Sequence, residues 1–549
     1  MSEPVLRPAL ACAAGAVVAA MLVAIHLVAA SHFALTEPDE GRYAEIAREM
    51  VESGDWVTPR LNYVKYFEKP PLVYWTTGLA FLGFGQTELA ARMPSLLAGL
   101  LAVALAVGLA ARMYGAATAL LALPIVAAAP LFGMLTQVLT LDMALTGWLT
   151  LAMAAVWFGW AAPAHARGWY CLAYVATGLA TLVKGPVAAV LIGGATLPFL
   201  VLHGGWRAVR PALEWRGLVL ALLVVLPWFA LVSWRNPEFL HFFVVDQHIA
   251  RYLWTTEHGQ PLWFFLPVLP VALLPWALLP LLDPSMLRGG LDPRTWSPAT
   301  RFLALWAAAI VVFFSLSTSK LLTYVLPAMP PLAILLARLI VWSMARGRSA
   351  AVSRLAVGLL IAAPIVGLCA AVLPLVRAHW RMQAIPPYLY AGGAVLFVVG
   401  LIMRRLCAAR RPYAALAALS VGWLAFFAVA IAGRGVANEY RALALAARAE
   451  MQPEDRLVLH RGMVQGIGFY TGRRVIMARG IGELKFGSQQ GDQRAWFWPT
   501  DDDLRREWAA PGRMFVVMVR SDLDLIGPTL DPPPIIVAAK DKKVLITNR

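Results

Sequence analysis

Apolar runs of about 20 residues, each long enough to cross the hydrocarbon core of a bilayer as a helix, recur along this chain from Ala9 to Val436. Lipid offers a backbone no water to bond, so such runs must satisfy their own N–H and C=O groups and become helices. Composition agrees. Of 549 residues, 60% are hydrophobic and 14% charged, whereas a soluble chain carries roughly 25% charged residues. The mean hydropathy is +0.67. Hydropathy and loop charge predict a polytopic α-helical membrane domain of about 13 spans over residues 1–433, with the N-terminus in the cytoplasm. The stretch Ala9 to Ala30 is long for a cleaved signal and reads as an uncleaved first span. Composition changes at Arg434, and residues 434–549 read as a separate domain.

The net charge of +16 would suit nucleic acid, but its distribution points to topology instead. Arginines gather in short loops: Arg207, Arg210 and Arg216; Arg288, Arg294 and Arg301; Arg346, Arg348 and Arg354; Arg404, Arg405, Arg410 and Arg411. Such loops mark the cytoplasmic side. The segments 31–88 and 236–262 and the C-terminal domain are then periplasmic. Lysine runs against this trend. Lys65, Lys69, Lys184 and Lys320, the four that precede the tail, all fall at periplasmic span ends or loops. An anionic ligand there would explain them, and so would chance in so small a sample. Cys12, Cys171, Cys369 and Cys407 show neither paired nor metal spacing and read as packing residues.

The most informative stretch is Thr36-Glu37-Pro38-Asp39-Glu40-Gly41-Arg42-Tyr43-Ala44-Glu45-Ile46-Ala47-Arg48-Glu49-Met50. Thr36 can cap a helix, Pro38 suits its first turn and Gly54 ends it. Tyr43, Ile46, Ala47, Met50 and Val51 then form one apolar stripe, with Arg42, Glu45, Glu49 and Glu52 off it. Such an amphipathic helix in a periplasmic loop is expected on the membrane interface. Asp39 shares the apolar stripe. An acid is favoured at any helix start, but that does not explain why the apolar face carries it, and an acid beside a span suggests function.

A second motif runs Gly54-Asp55-Trp56-Val57-Thr58-Pro59 and then Tyr66-Phe67-Glu68-Lys69-Pro70-Pro71-Leu72-Val73-Tyr74-Trp75. The prolines keep Lys69 out of the helix that starts near Pro71 and leave it at that helix's N-terminus, where a phosphate is favoured. A plain Glu68–Lys69 loop ion pair is the alternative. Asp142 opens an apolar run and could be only a helix cap. Lys184-Gly185-Pro186 and Ser317-Thr318-Ser319-Lys320-Leu321-Leu322-Thr323-Tyr324 bring further cations and hydroxyls to the same membrane level. His241, His248 and His258 share the second periplasmic loop. A zinc ion could use His248, His258 and Glu68, but the histidine intervals match no standard metal spacing, and interfacial loop histidines are the plainer reading.

The tail alternates candidate strands (Arg456 to His460, Arg474 to Met477, Met514 to Val519, Ile535 to Ala539, Val544 to Thr547) with candidate helices (Asn438 to Glu450, Asp501 to Trp508), which predicts an α/β module. Gly466-Ile467-Gly468 lacks the pattern of a dinucleotide fingerprint and reads as a turn. His460 has no evident partner.

On these residues the chain resembles the protein O-mannosyltransferase superfamily of polyprenyl-phosphate-sugar glycosyltransferases, the GT-C fold class. The Pro38-Asp39-Glu40 stretch, Tyr66-Phe67-Glu68-Lys69-Pro70 and the tail segment Phe469-Tyr470-Thr471-Gly472-Arg473-Arg474 are most similar to the aminoarabinose transferases of lipid A. The resemblance implies a multi-pass protein of the bacterial inner membrane, with periplasmic juxtamembrane helices and a periplasmic active site. It further implies transfer of 4-amino-4-deoxy-L-arabinose from undecaprenyl phosphate to a lipid A phosphate, a change to lipopolysaccharide that confers resistance to polymyxin and cationic peptides. Asp39, Asp142 and Glu68 would be catalytic. Lys69, Arg42, Tyr43, Lys184, Lys320 and Tyr324 would bind the donor's phosphate and lipid. No cofactor is required. The alternatives are another sugar or acceptor, such as a protein or envelope glycan, or a lipid-sugar flippase.

Overall fold

The computed structural model describes residues 8–250, 252, 259–288, 293–376, 384–434 and 440–549. Helix α1 (Pro8–His32) leads into the segment that builds the site: α2 (Asp39–Ser53), a hairpin of β1 (Arg60–Leu61) and β2 (Val64–Lys65), and α3 (Leu72–Phe84). A bundle follows: α4 (Glu88–Tyr114), α5 (Ala116–Ala127), α6 (Pro130–Thr136), α7 (Leu141–Ala161), α8 (Ala166–Lys184), α9 (Val187–Val209) and α10 (Trp215–Arg235). Beyond these come the helices Pro298–Leu316, Met329–Ala345, Ala350–Val376, Pro386–Ala408 and Pro412–Arg434. Trp157 of α7, Phe199 of α9 and Phe302 meet in the bundle core, with ring centroids 5.0 to 6.2 Å apart. Leu223, Trp234, Ile361 and Leu368 stand exposed on the outside, as lipid-facing residues do.

Among the described residues ten helices are long and apolar enough to cross a membrane, or eleven if α5 and α6, bent by 66° at their junction, form one broken span. That falls short of the 13 expected. Arg167, Tyr170, Tyr174 and Lys184 dilute the apolar character of α8. Residues 265–282 carry only the short helices Phe265–Ala272 and Leu278–Leu282, because Pro267, Pro270, Pro275 and Pro280 each remove a helix donor.

The tail is the α/β module the alternation predicts. Strands β3 (Arg456–His460), β4 (Ile476–Ala478), β5 (Phe497–Trp498), β6 (Met514–Val519), β7 (Ile535–Lys540) and β8 (Lys543–Thr547) form one sheet in the order β5-β4-β3-β6-β8-β7. The first four are parallel, and β8 and β7 add an antiparallel hairpin. Strands of a sheet covered on both faces read as continuous apolar runs, and alternate residues divide between two cores. Val458, Val516, Val544 and Ile546 pack with Trp498 and with Trp508 of the helix Asp501–Ala509. Leu457, Leu459, Phe515, Val517 and Leu545 join an apolar cluster that continues through Leu443, Ala444, Ile467 and Phe469 into Tyr43, Ile46, Ala47 and Met50 of α2. The tail and the first periplasmic loop therefore share one core.

That shared core changes the reading of α2. Tyr43, Ile46, Ala47 and Met50 of its apolar stripe are buried and Gly54, at φ +68°, ends it, but Asp39 is exposed and the helix does not lie on an open membrane interface. Glu45, Arg48 and Glu49 on its polar side are buried too. Arg48 bonds Glu45 at 2.7 Å and Glu52 at 2.5 Å, and Glu49 accepts the Tyr63 N–H at 2.8 Å. Above them lies the tail helix Gln465–Thr471. Gly466-Ile467-Gly468, expected as a turn, sits inside this helix, where small residues permit close approach. A Cβ on Gly468 would stand 2.4 Å from Glu45 Oε1, and one on Gly41 would stand 2.5 Å from the Gly466 nitrogen. Thr36 is not the cap: Pro38 precedes α2 without a capping side chain, and the Thr36 hydroxyl donates to Glu40 at 2.6 Å.

Candidate functional site

Two acids at the start of α2 have opposite surroundings. Glu40 is fully buried against Arg92 of α4, which donates to it from Nε at 2.7 Å and from Nη2 at 2.9 Å. Glu40 also accepts the Leu139 N–H at 2.8 Å, so it ties the loop to the bundle. The Asp39 side chain is 59% exposed, and Arg42, one turn on, bonds it at 3.1 Å. The other arm of Arg42 reaches Glu483 of the tail at 2.8 Å. Arg42 Nε is buried with no hydrogen-bond partner among the described residues. Its guanidinium lies 5.6 Å from the ring centroid of Tyr43, which in turn sits 6.1 Å from the ring of Tyr74.

The second motif divides in the same way. Asp55 accepts the Val57 and Thr58 N–H groups at 3.1 Å each, and Trp75 Nε1 donates to the Trp56 carbonyl at 2.7 Å. The Gly-Asp-Trp element is therefore a turn that seats α3. Lys69 stands just ahead of Pro71, which precedes α3, and its ammonium donates to the Glu68 carbonyl at 2.9 Å. On α7, Thr140 is the cap, accepting the Asp142 N–H at 3.2 Å. The Asp142 carboxylate is thereby left to pair with Lys184. Lys184 also lies 4.6 Å from the ring centroid of Tyr324.

These groups surround one cavity of about 430 Å³. Asp39, Arg42, Tyr43, Glu68, Lys69, Asp142, Lys184 and Tyr324 line it, together with Ser317, Ser319 and Thr323 and the apolar Val187, Val190, Phe313 and Phe314. A charged floor beside an apolar flank suits an amphiphile with an ionic head. Lys320 is not in the lining. Ser317 and Leu321 have extended backbones, and side chains alternate along an extended segment, so Ser317, Ser319 and Leu321 face the cavity while Lys320 turns away. Its ammonium donates to the carbonyls of Gln260 at 2.8 Å and Ser317 at 2.5 Å, which makes it a brace for the loop. Lys65 likewise pairs with Glu238 at 2.6 Å. Of the four lysines, Lys69 and Lys184 line the cavity and Lys65 and Lys320 do not.

The His248 side chain and His258 lie outside the described residues, so the zinc reading with Glu68 has no geometry. Among the described residues no cluster of three or more His, Cys, Asp or Glu side chains is spaced to hold a metal ion.

The sequence reading missed Glu483, Gln465 and Glu37. Gln465 Nε2 donates to Glu483 Oε1 at 2.5 Å. Glu37 accepts the N–H groups of Gln465 at 3.1 Å and Gly466 at 2.7 Å. Burial pushes the Glu37 carboxyl up to about 7, against the pull of those two N–H groups and of Arg42. Burial also raises the Glu483 carboxyl, which Arg42 and Gln465 draw back down. Glu37 stood in the quoted motif but carried no signal distinct from Asp39. Glu483 has no local signal, since its partner lies at the other end of the chain.

Residues 12–243 match the family model of dolichyl-phosphate-mannose-protein mannosyltransferases, and residues 443–548 that of the aminoarabinose transferase C-terminal domain. The undecaprenyl phosphate-alpha-4-amino-4-deoxy-L-arabinose arabinosyl transferase of Pseudomonas aeruginosa (strain UCBPP-PA14) is 37% identical over 335 residues, 59% of this chain and 59% of the relative's own length. The protein of the same name from Enterobacter sp. (strain 638) is 32% identical over 68% of this chain and 66% of its own length. In three dimensions, the crystal structure of ArnT from Cupriavidus metallidurans bound to undecaprenyl phosphate superposes with a TM-score of 0.85 and 30% identity, covering 97% of this chain and 98% of that one. An oligosaccharyltransferase from Archaeoglobus fulgidus shares the fold alone, with a TM-score of 0.52 and 13% identity.

Proposed function

The chain belongs to the aminoarabinose transferase family within the GT-C glycosyltransferases, and from that premise we propose that it transfers 4-amino-4-deoxy-L-arabinose from undecaprenyl phosphate to a phosphate of lipid A. The site would face the periplasm of the bacterial inner membrane, and the transfer would contribute to polymyxin resistance. The observation that carries this reading is the convergence of Asp39, Arg42, Glu68, Lys69, Asp142 and Lys184 on a cavity with an apolar flank.

The chemistry is a displacement at the sugar's anomeric carbon. The bond from that carbon to the donor phosphate oxygen breaks, its electron pair stays on undecaprenyl phosphate, and an oxygen of the acceptor phosphate forms the new bond. Negative charge grows on the departing phosphate, and fixed cations that await it lower the barrier. Lys69, just ahead of α3, and Lys184, steadied by Asp142 and the Tyr324 ring, would be those cations. The acceptor phosphate is already anionic and hardly needs a base. Asp39 and Glu68 would instead orient the sugar, whose amino group is a cation at neutral pH. Apolar Val187, Val190, Phe313 and Phe314 suit the first prenyl units. The donor carries its own leaving group, so no nucleotide is needed.

Mass spectrometry of lipid A decides the matter. Cells expressing the chain should gain aminoarabinose on lipid A phosphate, and cells expressing Lys69→Ala, made to equal levels, should not. Transfer to a protein or to another glycan, with lipid A unmodified, would overturn the reading.

A further inference from the structure

Arg42 is held by carboxylates from both ends of the chain. Nη1 donates to Asp39 at 3.1 Å and Nη2 to Glu483 at 2.8 Å. The two acids are not equivalent: the Asp39 side chain is 59% exposed and that of Glu483 only 17%. An exposed ion pair holds its geometry loosely, so the sheltered one sets the plane of the guanidinium. Glu483 is fixed in turn. Gln465 donates to its second oxygen, and Gln465 opens the helix whose first N–H groups bind Glu37, two residues before Asp39. The tail has other attachments that do not touch the cavity. Asn62 exchanges two hydrogen bonds of 2.9 Å with Val475, Gln86 donates to the Phe469 carbonyl at 2.7 Å, and the Phe81 and Phe469 rings meet at 5.8 Å. Docking is thus secured elsewhere, and a largely buried carboxylate aimed at a cavity arginine calls for a different explanation.

We propose that Glu483 is a positioning residue for sugar transfer, through which the C-terminal domain fixes the Arg42 guanidinium and, by way of Arg42, the Asp39 carboxylate in the cavity. This rests on the transferase reading above. The reacting groups need near-correct placement before the chemical step, and a displacement of about 1 Å can cost about 100-fold in rate.

The test uses the full chain in lipid nanodiscs, with undecaprenyl-phosphate aminoarabinose as donor and lipid A as acceptor. Glu483→Ala should lower kcat by up to about 100-fold with little change in the acceptor's KM, and Glu483→Gln, which keeps the shape but not the charge, should fall between. Gln86→Ala, which loosens the same docking away from Arg42, should turn over like the wild type. Adding Glu483→Ala to Arg42→Ala should cost nothing further, because the two act as a unit. Equal losses in the Gln86 and Glu483 variants, or multiplying losses in the double variant, would make Glu483 a mere docking contact and sink the proposal. Should Glu483→Ala fail to fold, Glu483→Gln carries the same comparison. If the wild type transfers nothing, the functional reading fails separately. Undecaprenyl phosphate binding then decides: weakening by Glu483→Gln but not by Gln86→Ala supports positioning, and no difference rejects it.

Discussion

At the scale of single residues, neighbours with the same chemistry do different work. Asp39 opens into the cavity beside Arg42, whereas Glu40 is sealed against Arg92. Asp39→Asn keeps the shape and removes the charge, so turnover should fall about 100- to 1000-fold, the size of one well-placed electrostatic contact, while the melting temperature stays. Glu40→Gln should do the reverse. It leaves Arg92 buried without its counter-charge, which costs about 3 to 5 kcal/mol, read as a lower melting temperature. Equal losses of turnover without any loss of stability would contradict the assignment. Glu37 supplies a pH signature. Its folded pKa, about 7, lies above the ordinary 4.5. The stability it contributes is therefore present at pH 4.5 and below, and is lost as pH rises through 7. The melting temperature of the wild type should fall relative to Glu37→Gln over that window. A constant difference between the two curves would show that Glu37 does not titrate there.

At the scale of elements, α2 shows how far a sequence can be read. Its apolar stripe and its Gly54 stop follow from helical period and local conformation, and both appear in the fold, whereas Asp39, which the period places on that stripe, turns out of it and is 59% exposed. Burial of Glu45, Arg48 and Glu49 does not, because the covering helix Gln465–Thr471 is supplied from the far end of the chain. The tail strands Arg456–His460 and Met514–Val519 were legible to the residue from their apolar runs. Phe497–Trp498 was not, since two residues carry no period. Lys320, which lies outside the cavity lining, shows a third limit: charge identifies a lysine, but only backbone geometry says which way it turns. The contact between Gly41 and Gly466 gives this scale its prediction. Gly41→Ala would place a Cβ 2.5 Å from a backbone nitrogen and 2.6 Å from Glu37, and overpacking of this kind costs about 1 to 3 kcal/mol. Amide exchange at Gln465–Thr471 should speed up and turnover should fall. Unchanged exchange would mean that the two helices can part without consequence.

For the whole molecule the decisive quantity is which side of the membrane each part occupies. The cavity, the first periplasmic loop and the tail are bonded together, so they must share a side. A reporter fused after Arg549 should read periplasmic, and one inserted at Arg348 should read cytoplasmic. A cytoplasmic tail would place the site on the wrong side for the proposed reaction. The bond between Arg42 and Glu483 also has a consequence for how the molecule is made. Arg42 leaves the ribosome 441 residues before Glu483. Until Glu483 is made and docked, a molecule already threaded through the bilayer would hold Arg42 only through the exposed Asp39, and its transfer would be slow. A transcript broken, a ribosome stalled or a protease cut anywhere ahead of Glu483 would, on the proposal above, leave a slowed protein and not an unregulated one, and full activity would begin only once the closing segment had been exported and had folded over its much older partner.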